Sequence, residues 1–203
     1  MVTVSTSPAR YHHGDLRSAL VEAGLAALEG PAGDAPSLRA LARETGVSPT
    51  AVYRHFPDKQ ALLDALSHEG LMKLGAAQQA AMDRAGGGVA GFAETGREYV
   101  RFALAHPALF RLIFSQGDLD RFHSDAEDPA RDLLYASTRQ LTGGNEHEAE
   151  RLALQAWAIA HGIAMLMLDG RMKASEEMIC RLINAETLFP LELRQGSSSD
   201  ESP

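Results

Sequence analysis

Apolar residues recur along most of this chain at intervals of three and four positions, a spacing that places them on one face of an α-helix. Alanine and leucine dominate these stretches, and no run of β-branched residues alternates with polar ones over the length of a strand. The pattern therefore predicts an all-α protein. Breaks rich in glycine, proline or polar residues separate the apolar stretches, and the clearest lie at 30–37, 85–91, 115–129 and 143–145.

Local signals in the sequence mark where individual helices begin and end. Ser37, Ser48 and Asp58 each stand where an N-cap is expected, and Pro49 occupies a first helical position, where a missing N–H costs nothing. Gly46 suits a turn that needs a left-handed backbone. Together with the apolar spacing, these signals predict helices at about 15–29, 37–45, 48–56, 58–84, 92–105, 107–114, 130–141, 145–169 and 175–189.

Two of the short predicted helices, 37–45 and 48–56, are joined by a tight turn, which is the arrangement of a helix-turn-helix. If Val52 and Phe56 point toward a small core, the other side of the second helix faces outward. Thr50 and Arg54 on that side have the chemistry to contact base edges, and flanking polar groups suit phosphates. A merely solvated polar face fits the same pattern. The candidate DNA-binding residues are Arg39, Ser48, Pro49, Thr50, Ala51, Tyr53, Arg54, His55 and Lys59.

The charge of the chain is unevenly distributed. The net charge is −8, which by itself argues against a nucleic-acid partner. Residues 1–60, however, carry six Lys/Arg and six Asp/Glu and are therefore neutral. The remaining residues carry 13 Lys/Arg and 21 Asp/Glu, which accounts for the whole net charge of −8. A neutral N-terminal third permits a nucleic-acid surface at one end only.

Several other classes of protein find little support in the sequence. A lone cysteine, Cys180, excludes an intramolecular disulfide and a cysteine-based zinc site. The N-terminus lacks the pattern of a signal peptide, and the apolar stretch 157–168 is shorter than the ~20 residues that cross a bilayer. We therefore expect a cytoplasmic protein with no membrane partner.

Catalytic and metal sites are also not expected. The sequence has no H-E-x-x-H, no phosphate-cradling glycine motif after a strand and no recognisable nucleophile arrangement, so an enzyme is a remote alternative. Acidic residues and a histidine cluster at 118–128, but they lack the spacing of a calcium-binding loop. We predict no enzyme activity, no metal and no cofactor.

The run SLRALARETGVSPTAVYRHFPDKQALLDAL resembles the DNA-binding domain of the TetR family of bacterial repressors. The family pattern of Tyr-x-x-Phe, a short linker and Lys-x-x-Leu corresponds to Tyr53, Phe56, Lys59 and Leu62. The likeness covers about residues 11–66 and includes YHHGDLR at its start. Farther along, Trp157-x-x-x-His161-Gly162 is similar to the Trp-His-Gly signature of one class of TetR C-terminal domain.

The resemblance implies a DNA-binding domain at 1–60 and a ligand-binding and dimerisation domain at 61–194, and the polar composition of 195–203 predicts a disordered tail. The resemblance further implies a homodimer that represses transcription from a palindromic double-stranded DNA operator and is released by a small-molecule effector. The apolar composition suggests an apolar or aromatic effector, although each candidate contact is also a plausible core residue. These candidates are Phe92, Tyr99, Phe102, Phe110, Phe114, Trp157, His161 and Met165.

Two alternatives stay open at this stage. One is a ligand-independent architectural or cell-division DNA-binding protein with the same fold. The other concerns His161, which is either a polar group in a pocket or a core histidine beside Gly162 where helices pack closely; we favour the packing role.

Overall fold

The computed structural model describes residues 16–31, 33–115 and 127–184. These residues form helices and contain no strand, which confirms the predicted all-α fold. In chain order the helices are α1 (Leu16–Glu29), α2 (Leu38–Thr45), α3 (Pro49–His55), α4 (Lys59–Arg84), α5 (Gly88–Ala105), α6 (Pro107–Ser115), α7 (Pro129–Leu141), α8 (Glu146–Leu168) and α9 (Glu176–Leu182).

The predicted capping signals operate as expected. The side chains of Ser37 and Ser48 accept hydrogen bonds from the third residue beyond them, each at 3.2 Å, and Asp58 does the same at 2.8 Å. Gly46 has a left-handed backbone with φ of 70°, which ends α2 and allows the sharp turn into α3. Local side-chain chemistry thus sets the bounds of both short helices.

Two predicted boundaries are wrong. Helix α5 begins at Gly88 rather than at Phe92, because the turn is confined to the preceding glycines and Gly91 is already helical, close to Met82. Helix α9 ends at Leu182, so its predicted continuation through residues 183 and 184 is wrong, and the rest of the predicted helix, to about residue 189, lies outside the described residues. Ile183 is buried, and its carbonyl accepts a hydrogen bond from Arg97 Nε at 2.8 Å. A contact distant in sequence therefore fixes the end of α9.

The chain divides into two compact units between Leu66 and Ser67, within α4. In the first unit, α2 packs against α1 and α3. Gly24 of α1 lies so close to Leu66 that an added Cβ would stand 2.8 Å from its Cδ2 atom. The most deeply buried apolar side chains of this unit are Leu20, Leu41, Ala42, Val52, Phe56, Leu62 and Leu66.

The second unit is organised around α8, which packs most extensively against α5 and α7. Helix α9 is held on α5 by Arg101, which binds Glu176 of α9 as well as Glu94 and Glu98 of its own helix. The bond from Arg101 lowers the pKa of Glu176 to about 2. The fully buried core of this unit includes Leu74, Val100, Ala103, Phe110, Ile113, Ala153 and Ala164.

Helix α8 is more apolar over its length than the stretch 157–168 indicated. It is 23 residues long, and its most apolar 18-residue window has a mean hydropathy of 1.4, so by length and composition alone it is able to cross a membrane. The core helix of a soluble protein has the same properties, and one face of α8 is buried in the second unit.

Candidate nucleic-acid interface and cavity

Helix α3 has an apolar side that faces the core and a largely polar side that faces solvent. Val52 and Phe56 are 0% and 1% exposed, as the apolar pattern predicted. On the outer side Pro49, Thr50 and Arg54 are exposed, and 45% of the Tyr53 surface is accessible. The half-buried residues Ala51 and His55 flank this surface, and Ser48 uses its hydroxyl to cap the helix. The outer side of α3 can therefore enter a groove of DNA without disturbing the core.

The cations beside α3 are not neutralised by neighbouring carboxylates. Arg39, Arg54 and Lys59 are exposed, and none of them forms an ion pair within the described part of the chain. The second unit differs, because its ion pairs involve Arg84, Arg97, Arg101, Arg111, Arg131, Arg139 and Arg151. Unpaired guanidinium and ammonium groups are available to phosphate oxygens.

Lys59 opens α4 directly after the capping residue Asp58. The Asp58 carboxylate accepts a hydrogen bond from the Ala61 N–H, so it occupies one of the free donors at this helix N-terminus. A phosphate at this position would rely on the exposed ammonium group of Lys59 more than on the helix end. The exposed ammonium group of Lys59 and the capped end of α4 are therefore separate features of this surface.

Sequence reasoning did not include Arg17 among the interface residues. Its guanidinium carbon lies 5.5 Å from the centre of the Phe56 ring, a cation–π distance, and the side chain is exposed. The stacking fixes a positive charge over the aromatic residue that anchors α3. Arg17 is the one cation in the predicted first helix. Because it is far from α3 in the sequence, the sequence did not indicate that the two lie close together.

A cavity lies in the second unit among α4, α5, α7 and α8. Its volume is about 70 Å³, and the cleft that contains it is partly open to solvent. A dry engineered cavity of roughly 150 Å³ holds benzene, so a one-ring ligand must also use the open part of this cleft. The wall is mainly apolar and includes Leu71, Leu74, Gln78, Phe92, Thr95, Tyr99, Phe114, Asp128, Arg131, Leu134, Trp157, Ile159 and Ile183.

The structure separates the eight predicted effector contacts into two groups. Four aromatic residues line the cavity: Phe92, Tyr99, Phe114 and Trp157. The other four do not belong to its wall: Phe102, Phe110, His161 and Met165. Phe102 and Phe110 are buried core residues. The aromatic content of the sequence could not distinguish these positions, because both core and cavity wall favour the same side chains.

Tyr99 connects the cavity wall to His161 behind it. The Tyr99 hydroxyl is 2.9 Å from His161 Nδ1, and it accepts a hydrogen bond from Trp157 Nε1 at 3.3 Å. An indole N–H can only donate, so the Tyr99 hydroxyl is the acceptor in its bond with Trp157. Burial lowers the pKa of His161, which favours its neutral form.

Gln78 is a polar residue of the cavity that sequence reasoning missed. It is 8% exposed, and its Nε2 donates to the Thr95 carbonyl at 3.1 Å. A usable signal existed, since Gln78 falls on the apolar face of α4 that carries Leu71, Leu74 and Ala81. A glutamine placed on such a face is an exception to the pattern.

Within the described residues of the single chain, no other helix packs closely on Gly162. A Cβ built on Gly162 would have no atom within 4 Å outside its own helix. The same side of α8 exposes Leu154, Ile159 and Leu166 by 41%, 39% and 42%. Helix α8 is therefore apolar on more than one face, and Gly162 lies on the side that the single chain leaves uncovered.

No group of three or more His, Cys, Asp or Glu side chains with the arrangement of a metal site occurs in the described residues. Most of the acidic cluster at 118–128 lies outside them. Cys180 is half-buried, and its thiol donates a hydrogen bond to the Glu176 carboxylate at 3.3 Å.

Comparison with known proteins matches both units. The family described as bacterial regulatory proteins, tetR family, matches residues 21–66, and the tetracyclin repressor-like C-terminal domain matches 92–185, so that the two cover more than half of the chain. A structure from Rhodococcus sp. RHA1, of a protein with unknown function, is 34% identical over 89% of this chain and 97% of that chain, with a TM-score of 0.69. A TetR family transcription regulator from Marinobacter aquaeolei VT8 shares the fold at 18% identity and a TM-score of 0.56. The likeness covers 85% of this chain and 93% of that chain. No curated protein matches the chain.

Proposed function

Because this chain belongs to the TetR family of bacterial regulatory proteins, we propose that it is a cytoplasmic transcriptional repressor. In this proposal a homodimer binds a palindromic DNA operator and leaves it when a small molecule occupies the cavity of the second unit. The observation that carries DNA binding is the outer side of α3, which exposes Thr50 and Arg54 beside cations without an ion pair in the described residues. The protein acts by binding, and we assign it no catalytic role.

The residues of the first unit divide by their chemistry. Thr50 and Arg54 are proposed to read base edges, since a hydroxyl, a methyl and a forked guanidinium all match groups in the major groove. Phosphate contacts are proposed for Arg39, Tyr53, His55 and Lys59, and these position the helix without specifying sequence. Ser48 and Pro49 start the helix, and Ala51 is small enough for the helix to approach the bases.

Selection of bound fragments from genomic DNA tests this proposal. We expect enrichment of a short inverted repeat whose half-sites are about one helical turn apart, roughly 34–36 Å, because two α3 helices of a dimer would read them. Recovery of fragments with no common sequence would contradict specific regulation.

Replacing Lys59 by alanine should weaken binding to all DNA sequences alike. The slope of log affinity against log salt should fall by about 2, since a dimer carries two Lys59 side chains and each phosphate contact contributes about 0.9. Fluorescence anisotropy at several salt concentrations measures this slope. Thr50→Ala is the matched comparison, with a loss of about 1–3 kcal/mol at defined operator positions and an unchanged slope. An altered base preference in Lys59→Ala would mean that its role is misassigned.

The uncovered side of α8 supports the homodimer. Leu154, Ile159 and Leu166 are large apolar side chains left partly exposed, and Gly162 between them has open space above it. A second copy of the same helix would bury these side chains and could approach closely at the glycine. Dimerisation through α8 is therefore the arrangement that we propose.

The cavity supports release by a small molecule. Helix α4 runs from Lys59, beside the proposed DNA surface, to residues that line the cavity, so the same helix contributes residues to both units. A ligand that favours a conformation unable to bind DNA would shift the population away from the operator. The cavity favours this reading over a ligand-independent architectural role, for which a second unit would need no such space.

A further inference from the structure

The carboxamide of Gln78 is an unusual polar group in the cavity wall. The side chain is more than nine-tenths buried, and its Nε2 donates to the Thr95 carbonyl at 3.1 Å. Its oxygen, Oε1, is also buried and has no hydrogen-bond partner. A buried acceptor without a partner destabilises the folded state, because it gives up its hydrogen bond to water and gains none in return. Such a group is expected to be kept where a ligand completes it.

The orientation of this carboxamide follows from its neighbour. Thr95 offers a carbonyl oxygen, which can only accept a hydrogen bond. Exchanging the oxygen and nitrogen of Gln78 would bring two acceptors together, so the nitrogen must face Thr95. The unpartnered atom is therefore an acceptor, and what it lacks is a donor.

The other polar groups of the wall are already engaged. Asp128 is buried and accepts a hydrogen bond from the Arg131 backbone N–H at 3.0 Å. Arg131 in turn pairs with Asp132 at 3.2 Å. The Tyr99 hydroxyl lies between His161 and Trp157. The cation in the wall is thus neutralised, and a buried carboxylate stands beside it, so the wall does not favour an anion.

We infer that the cavity binds an uncharged, mainly apolar molecule that presents one hydroxyl or N–H group to Gln78 Oε1. The inference deepens the proposed function, because it rests on this cavity being the effector site. Its apolar part would lie against Phe92, Leu134 and Trp157, and its donor would give Oε1 the hydrogen bond that the protein alone does not supply.

Direct titration of the protein with small probes tests this inference. Trp157 is the one tryptophan of the chain and lines the cavity, so its fluorescence reports occupancy. Phenol and toluene have nearly the same shape but differ in a donor group. We expect phenol to bind about tenfold more tightly than toluene, as one neutral hydrogen bond to a buried acceptor allows. Benzoate, an anion of similar size, should bind at least tenfold more weakly than phenol.

Variants of two adjacent glutamines assign the preference to one side chain. In Gln78→Met the chain length is kept and the acceptor is lost, so phenol and toluene should bind with equal affinity. Gln79→Met is the matched control, because Gln79 is exposed, bonds to Asp83 and lies outside this cavity wall. The Gln79→Met protein should still bind phenol about tenfold more tightly than toluene. Should Gln78→Met fail to fold, the comparison of the three probes on the unaltered protein still decides.

Equal affinities of phenol and toluene for the unaltered protein would overturn the inference, as would tighter binding of benzoate or no saturable binding of any probe. A preference retained in Gln78→Met would overturn the role of that residue. These titrations contain no DNA. Their outcome is therefore independent of whether a ligand releases the protein from an operator, which the DNA-binding measurements decide separately.

Discussion

Replacing Phe56 by alanine is expected to lower the free energy of unfolding of the first unit by about 3–5 kcal/mol, a large share of the 5–15 kcal/mol that stabilises a typical domain. Phe56 is 1% exposed, follows the last residue of α3 and carries Arg17 over its ring. Its truncation removes a fully buried ring from the core of the first unit and leaves a cavity there. Without a fixed α3, specific DNA binding should be lost.

Two spectroscopic signals distinguish unfolding of the first unit from unfolding of the second. Far-ultraviolet circular dichroism follows helices of both units in a denaturant titration, whereas Trp157 fluorescence follows the second unit alone. In Phe56→Ala we expect part of the circular dichroism signal to be lost at lower denaturant concentration than the fluorescence signal. A coincident, unshifted transition would show that Phe56 does not anchor the first unit.

Tyr53→Ala is the matched control, since it truncates an aromatic residue of the same helix that is 45% exposed. Its unfolding free energy should change by no more than about 0.5 kcal/mol. The affinity for DNA should nevertheless fall about tenfold through loss of a phosphate contact. A large loss of stability here would mean that the exposed side of α3 is needed for folding rather than for DNA.

Introducing glutamate at Gly162 should abolish the dimer while leaving the fold intact. A side chain added there meets nothing in the single chain, and glutamate favours a helix interior more than glycine does. In the proposed dimer the same position faces the partner's α8, where a buried charge without a partner costs several kcal/mol. The dissociation constant of the dimer should therefore rise at least a hundredfold.

Analytical ultracentrifugation over a concentration series measures this change. Ala80→Glu provides the control, because Ala80 is exposed near the C-terminal end of α4 and the substitution adds the same charge. It should leave the dissociation constant unchanged. A Gly162→Glu protein that remains dimeric at the lowest measurable concentration would place the interface elsewhere. For a monomeric Gly162→Glu, affinity should be similar for a half-site and for the complete palindrome.

The sequence predicted the helix-turn-helix accurately because its signals are local. Ser48 caps α3 through a residue three positions away, and Gly46 supplies its own turn. The end of α9 could not be predicted in this way. It depends on a hydrogen bond from Arg97 to Ile183, two residues that the sequence separates by 86 positions.

The cavity was predictable in composition but not in detail. Aromatic residues such as Phe110 and Phe114 look alike in a sequence, and only the packing shows that Phe114 lines the cavity while Phe110 lies in the core. Gln78 was overlooked for another reason. Its partner, the Thr95 carbonyl, is a backbone atom that has no signature in the sequence.

The unequal pairing of cations in the two units has a consequence for how the protein searches a genome. Residues 61–203 carry the whole net charge of −8, so they repel the phosphate backbone, and loose contact with any DNA must pass through the cations around α3. Non-specific contact with DNA and the specific complex would then use the same surface of the protein. If α3 reads the operator as proposed, random encounters would be held by few phosphates and be brief, and the residence time on an operator would depend on whether the bases beneath α3 match.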